Sequence, residues 1–320
     1  MWEAEIGRAL RRTGIAVVVI AALYFIIGGI GGGLFLSWLL TPGNVDWSGA
    51  NRPAPSDPLT IGYRGDPMAA LGLPFQTIHY ETELGPAEAW LVPAAAPTTT
   101  WAVFVHGVGG IRENGYRQLS MLHEAGITTL MITYRNDKGA PKATPPLFSF
   151  GLTEWHDLDA AVGWMLGNGA GRIVLVAESM GGAIAGQFLE HSDRTGSIAA
   201  VALDAPALDM PASVARLAEY VHVPLSGWLA PIVVRVASLA TGAALNDAVV
   251  LDAVAAFPGP VFVAHGSADP LVPISVSERL VEMRQGKPTT FLWTKADHLH
   301  SYAEEPEEYR TKFLGFLRGI

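Results

Sequence analysis

Cysteine is absent from all 320 residues, which excludes a disulfide framework, thiolate metal sites and a cysteine nucleophile together. Charge is scarce as well. Only 16% of the residues are charged, against about 25% in ordinary globular domains. Half are hydrophobic, so a long disordered chain is excluded. Basic residues are the scarcer sign, 21 against 30 acidic ones. The resulting −9 leaves no overall basic surface for a nucleic-acid partner. A mean hydropathy of +0.29 is too high for an ordinary soluble enzyme, so apolar residues are concentrated somewhere.

The first concentration is N-terminal. Residues 14–40 form 27 consecutive positions without a charge, and a bilayer core needs about 20 apolar residues as helix. Arg8, Arg11 and Arg12 precede this run, and the next basic residue is Arg52. The positive-inside bias therefore keeps residues 1–13 in the cytoplasm and sends the rest across. Removing the three arginines and two glutamates of residues 1–40 from those totals leaves −10 for the translocated part. A cleavable signal peptide has a shorter apolar region and a small-residue cleavage site. Leu39-Leu40-Thr41-Pro42-Gly43 offers no such site, so an uncleaved signal-anchor is expected. Gly28/Gly32 and Gly29/Gly33 form two small-xxx-small pairs of the kind that lets helices dimerise. They are read here as the ordinary glycine content of a membrane helix. Residues 41–74, rich in proline and glycine, read as a linker or an ordered collar.

From residue 75 onward, strand-like and helix-like patterns alternate. Segments 75–80 and 89–92 flank Glu83-Leu84-Gly85-Pro86, which predicts a hairpin. Short apolar strands are predicted at 101–106, 128–134, 172–177, 198–203, 260–265 and 289–293. Helices are predicted at 115–125, 153–166 (with Thr153 as N-cap), 181–190, 274–284 and 306–317. Alternating units with fully apolar strands imply a mostly parallel sheet with helices on both faces.

The junction at 177–182 (Ala177-Glu178-Ser179-Met180-Gly181-Gly182) carries the chemistry. A serine on a sharp strand–turn–helix needs small residues two places before and after it, which Ala177 and Gly181 supply. The turn exposes the hydroxyl and aims the Met180 N–H at a developing oxyanion. A serine becomes a nucleophile when a histidine takes its proton and a carboxylate orients that histidine. Asp269 follows the strand at 260–265 and His298 follows the strand at 289–293, in the order such sites require. The Val108 N–H, in the loop His106-Gly107-Val108-Gly109-Gly110, is the second oxyanion donor expected.

The chain from about residue 75 resembles the α/β-hydrolase superfamily, in particular bacterial esterase/lipase-like members and the catalytic domains of prolyl-oligopeptidase-type serine peptidases. The matching stretches are HGVGG (106–110), TYRNDKGAP (133–141), TEWHDLDAAV (153–162), AESMGGAI (177–184), LDAPALD (203–209), HGSADPLVP (265–273) and ADHLHSY (296–302). The resemblance implies an α/β-hydrolase fold with a helical lid, nucleophile Ser179, acid Asp269 and base His298. It implies no cofactor or metal, and it leaves the substrate open.

Other polar positions are read more plainly. His300, Asp204 and Asp209 are the lesser candidates for base and acid. His106 and His265 are read as strand-end histidines bonded to nearby backbone, and Glu178 as a solvated or strand-end carboxylate. Tyr134 either lines the pocket or supports its wall, and Glu154, His156 and Asp157 belong to a helix start. Residues 210–257, apolar and mostly helical, are the expected lid, and their apolarity predicts an apolar acyl or aryl group on the substrate. The expectation is a membrane-anchored esterase, with its domain at 75–320 outside the cytoplasmic membrane, acting on a small-molecule or lipid-like ester. The alternatives are a serine peptidase or amidase, and a non-catalytic membrane-tethered binding protein.

Overall fold

The computed structural model describes residues 2–47, 49 and 51–320. Its strands are β1 (Gln76–Thr82), β2 (Gly85–Val92), β3 (Thr100–Val105), β4 (Thr128–Ile132), β5 (Arg172–Glu178), β6 (Ile198–Asp204), β7 (Val261–Gly266) and β8 (Thr289–Thr294). The helices are α1 (Trp2–Leu39), α2 (Pro67–Leu71), α3 (Tyr116–Glu124), α4 (Trp155–Gly167), α5 (Met180–His191) and α6 (Met210–Tyr220). They continue with α7 (Ser226–Thr241), α8 (Leu251–Ala256), α9 (Ile274–Met283), α10 (Ser301–Glu304) and α11 (Pro306–Leu317).

The strands form one sheet in the order β1-β2-β4-β3-β5-β6-β7-β8. β1 and β2 make the expected hairpin, in register from Gln76↔Leu91 to Thr82↔Gly85. β2 is antiparallel to β4, and every later pairing is parallel. Side chains on a strand alternate between faces. Accordingly Ile173, Leu175 and Ala177 of β5 enter the core that includes α4 and α5. Val174 and Val176 enter the one that includes α3 and α11. From β3 the chain proceeds to β4 on one side and β5 on the other, so the carboxyl ends of β3 and β5 open at a topological switch point, where open α/β sheets place their sites.

One cap differs from expectation. The N-cap position of α4 is Glu154, and the Thr153 hydroxyl instead pairs with Ser149 Oγ at 2.8 Å. The 149–151 turn buries backbone donors that need an acceptor. The Glu154 carboxylate supplies it, taking the Ser149 and Gly151 N–H groups at 2.7 and 3.0 Å.

α1 is long and apolar enough to cross a bilayer, and Ile15, Val18, Ile20 and Ile27 are exposed on it. It begins at Trp2 rather than at residue 14, since Glu5, Arg8, Arg11 and Arg12 are all good helix formers. Its glycines are more than background composition. A Cβ at Gly29, Gly32 or Gly33 would lie 2.5–2.7 Å from side-chain atoms of Ile232, Val233 or Val236. The stripe lets α7 of the same chain approach α1 backbone to side chain, a packing role beyond the ordinary glycine content expected of a membrane helix.

The described residues of segment 41–74 are tied to the domain. Gly62 N–H donates to Asn114 Oδ1 at 3.1 Å, and Leu59, Tyr63 and Leu73 pack against the core that holds α3 and α11; just before the segment, Phe148 N–H donates to Leu40 O at 2.9 Å.

Candidate active site

β5 runs straight into α5, and Ser179 is the hinge, with φ +52° and ψ −122°. A non-glycine residue held there stores about 1–3 kcal/mol of backbone strain. Three bonds hold the turn: Ser179 N–H to Asp204 O, and the N–H groups of Gly182 and Ala207 to Ser179 O, at 2.9–3.0 Å. The requirement for a small residue after the serine has a direct cause. A Cβ on Gly181 would sit 2.3 Å from Val105 O, where α5 crosses the end of β3. Gly181→Val is therefore expected to cost about 1–3 kcal/mol through overpacking, measured as a lowered thermal unfolding midpoint.

Asp269 and His298 meet because the loops after β7 and β8 are laced together. A Cβ on Gly266 would lie 2.1 Å from Ala296 O. Ser267 N–H donates to Thr294 O at 2.9 Å, and Ala268 N–H to Ala296 O at 3.1 Å. The Ser179 hydroxyl lies 2.9 Å from His298 Nε2, and His298 Nδ1 lies 2.6 Å from Asp269 Oδ2. This is the order in which a hydroxyl passes its proton to an imidazole that a carboxylate orients. Burial opposes charge on Asp269. Hydrogen bonds from His265, His298 and the Val272 N–H outweigh it and hold the carboxyl well below the usual carboxylate range. The Leu271 and Val272 N–H groups reach Asp269 Oδ1 at 2.8 and 2.9 Å.

The loop after β3 passes beside the serine, since a Cβ on Gly107 would be 2.8 Å from Ser179 Cβ. Val108 lines the same pocket as Ser179. Met180 opens α5, where first-turn N–H groups have no partner within the helix. Tyr134 supports this loop rather than lining the pocket. It is fully buried, and its phenol donates to the carbonyls of His106 and Gly107 at 3.0 and 2.9 Å.

Other expectations resolve into different contacts. His106 Nδ1 does bond its neighbour's carbonyl, Gly107 O, at 2.9 Å, but its Nε2 pairs with Asp137 at 2.9 Å. Burial lowers the His106 pKa, and Asp137, the Gly107 carbonyl and Glu178 together outweigh it, so the net shift is upward. His265 bonds Val272 O at 3.1 Å and also lies 3.2 Å from Asp269 Oδ2, a second partner for that carboxylate that the sequence did not signal. Asp209 caps α6 through Ala212 N–H at 2.9 Å, and His300 pairs with Asp297 at 2.6 Å. Asp157 binds the Arg135 guanidinium.

Glu178 is not solvated. The alternation along β5 turns it toward α3, where its carboxylate accepts from Arg117 Nη2 at 3.0 Å. Asp204 joins the cluster 3.7 Å from the same guanidinium, with Tyr309 Oη donating to it at 3.0 Å. Burial pushes both carboxyls above their ordinary values, with Arg117 opposing.

A cavity of about 80 Å³ beside Ser179 is lined by Met210, Val214 and Leu217 of α6 and by Leu36, Leu39 and Leu40. Residues 210–257, the expected lid, thus contribute to its wall through α6. On α7, Leu229 and Val233 pack toward Gly28 and Gly32 of α1, and Trp228 is 77% exposed. Trp47 and the end of α1 also line the site, although nothing in an uncharged apolar run or a proline-rich stretch marks such residues in sequence.

Comparison with known proteins gives the following. Residues 102–311 match the alpha/beta hydrolase family. No curated protein matches the chain. Among solved structures it is similar to an esterase of Pyrococcus furiosus, at 20% identity and a TM-score of 0.62, covering 80% of this chain and 94% of that one. It is also similar to an esterase of Exiguobacterium antarcticum, at 15% identity and a TM-score of 0.56, covering 76% and 100%. An acylaminoacyl peptidase of Pyrococcus horikoshii matches at 16% identity and a TM-score of 0.58, covering 77% of this chain and 41% of that one.

Proposed function

The chain belongs to the alpha/beta hydrolase family, and from that premise we propose that it is a membrane-anchored serine hydrolase cleaving carboxylic esters with an apolar acyl or aryl group. The observation that carries this reading is the hydrogen-bonded line from Ser179 through His298 to Asp269, at the floor of an apolar cavity. Ser179 Oγ attacks the ester carbonyl carbon while His298 Nε2 takes its proton. Asp269, kept ionised, orients the ring and stabilises the imidazolium. The Val108 and Met180 N–H groups donate to the oxyanion. His298 then protonates the departing alcohol, and water, deprotonated by the same ring, releases the acid from the acyl-enzyme.

Location follows from α1. Residues 1–13, with Arg8, Arg11 and Arg12, stay in the cytoplasm, residues 14–40 cross the bilayer as an uncleaved anchor, and residues 41–74 connect to the hydrolase domain at 75–320, with its lid at about 210–257. The test is labelling by a fluorophosphonate. Folded wild type is expected to label and Ser179→Ala is not. A folded wild type that resists the probe would remove the serine mechanism. Hydrolysis of p-nitrophenyl esters against aminoacyl anilides then separates esterase from peptidase action.

A further inference from the structure

The cavity at Ser179 does not stand alone. Leu36 and Leu39 of α1, with Val214 and Leu217 of α6, line it on one side. The same four side chains line a second cavity of about 500 Å³ on the other, within the roughly 300–1,000 Å³ of small-molecule sites. This second space is a groove between the membrane helix and the lid. Its far end is bounded by Tyr24 and Gly28 on α1 and by Val221 and Pro224 on the lid.

The groove runs along the apolar segment of α1. Gly28, Gly29, Gly32 and Gly33 meet Leu229, Ile232, Val233 and Val236 in order, so α7 lies parallel to α1. The turn between α6 and α7 reaches the level of Tyr24, whose phenol donates to Pro224 O. From Leu39 back to Gly28 is 11 residues, a rise of about 16 Å along a helix. One leaflet of hydrocarbon is half of about 30 Å, so the groove is one acyl chain long. The outer side of the lid is apolar too. Tyr220, Val221, Leu225, Trp228 and Leu239 are exposed, as are Ile27, Leu34 and Phe35 of α1. In water such a surface is a liability; beside a bilayer it meets lipid. The charged groups of α6 and α7 lie around it: Arg216 and Glu219 pair with each other, Arg216 Nε also binds Asp269 O at 2.7 Å, and exposed Arg235 has a stem long enough to reach the headgroups.

We propose that the substrate is a long-chain acyl ester of a membrane lipid, drawn sideways from the bilayer between α1 and the lid, with the transmembrane helix forming one wall of the acyl channel. The proposal rests on the serine-hydrolase and membrane-anchor readings above. The chain tail stays in the groove at the level of residues 24–32 while the ester carbonyl passes the Leu36/Leu39/Val214/Leu217 constriction to Ser179. The bond broken is the acyl–oxygen ester bond, and water supplies the oxygen and protons that leave with the fatty acid and the alcohol. The anchor is thus part of the binding site.

The experiment uses the full chain in phosphatidylcholine vesicles containing dioleoylglycerol, with p-nitrophenyl butyrate supplied from water in parallel. Wild type is expected to release oleate. Ala218→Trp, which fills the groove on its α6 side, is expected to lower the ratio of oleoyl to butyryl hydrolysis at least tenfold. Gly28→Leu on the α1 side is expected to act in the same direction. In Ser179→Ala protein, phosphatidylcholine bearing a diazirine on its acyl chain is expected to crosslink to residues 24–39 and 214–224. Wild type that reacts with the fluorophosphonate in one aliquot and, unlabelled in another, hydrolyses butyrate but releases no oleate, or whose ratio is unchanged by both substitutions, would overturn lateral access and leave the serine mechanism standing. Failure of labelling itself removes the underlying reading instead.

Discussion

Replacing Ser179 by alanine is expected to lower kcat on a butyrate ester by about a million-fold, and His298→Ala by a similar factor, with the double variant losing no more than either single one. The non-additivity follows from the geometry. The hydroxyl is useful only through the imidazole 2.9 Å away, so once one is gone the other has nothing left to do. Asp269→Asn is expected to lower kcat by about 10⁴-fold. An amide in that position offers its N–H₂ or a weaker acceptor to His298 Nδ1, and it favours the ring tautomer that cannot accept the serine proton. The amide also meets His265 and the N–H groups of Leu271 and Val272, all placed for a carboxylate. Steady-state kinetics on detergent-solubilised protein measure these losses. Additive losses in the Ser179/His298 pair would show that the two residues do not act as a unit.

Removing Arg117 has the largest expected effect on stability. Arg117→Met leaves the buried carboxylates of Glu178 and Asp204 without their cation. Loss of one partner from a buried ion pair costs about 3–5 kcal/mol, equivalent to a fall of about 6–20 °C in the unfolding midpoint of a domain this size. The pH dependence has a definite sign. Burial raises the folded-state values of Glu178 and Asp204, so above the ordinary carboxylate range the folded state holds more protons than the unfolded one. Stability from these two groups therefore falls as pH rises through that window. Without Arg117 their values rise further and the fall steepens, so the variant is expected to recover part of its loss at pH 5 relative to pH 8. Adding Glu178→Gln and Asp204→Asn removes the uncompensated charge and is expected to restore most of the stability. Scanning calorimetry or thermal-shift measurements read both outcomes; equal losses at the two pH values would show that packing, not charge, is what Arg117 provides.

Gly181 was legible from the sequence as a steric requirement, because a serine turn brings its second neighbour against the sheet whatever the rest of the chain does. Asp269 and His298 were legible as positions after strands, because strand ends can be read from short apolar runs. Glu178 was not. Its role depends on which face of β5 it occupies and on a guanidinium 61 residues away, and no local pattern reports a partner at that distance. His265 likewise looked like a strand-end histidine until the β7 loop folded back to set it beside Asp269.

Local and periodic properties can be read without any tertiary contact. These are the uncharged run of α1, the alternation of strands and helices, the small residues around Ser179 and the serine–aspartate–histidine order. Each follows from a few neighbouring residues and needs no knowledge of what packs against them. Tertiary structure alone decided where the apolar excess goes. The glycine stripe of α1 had a visible spacing but no visible partner until α7 lay against it, and the end of the apolar N-terminal run became a wall of the cavity at Ser179 through Leu36, Leu39 and Leu40. Helix propensity and hydropathy fix what a segment buries but not against which distant segment, because burial of apolar surface is non-directional and only close packing selects the partner.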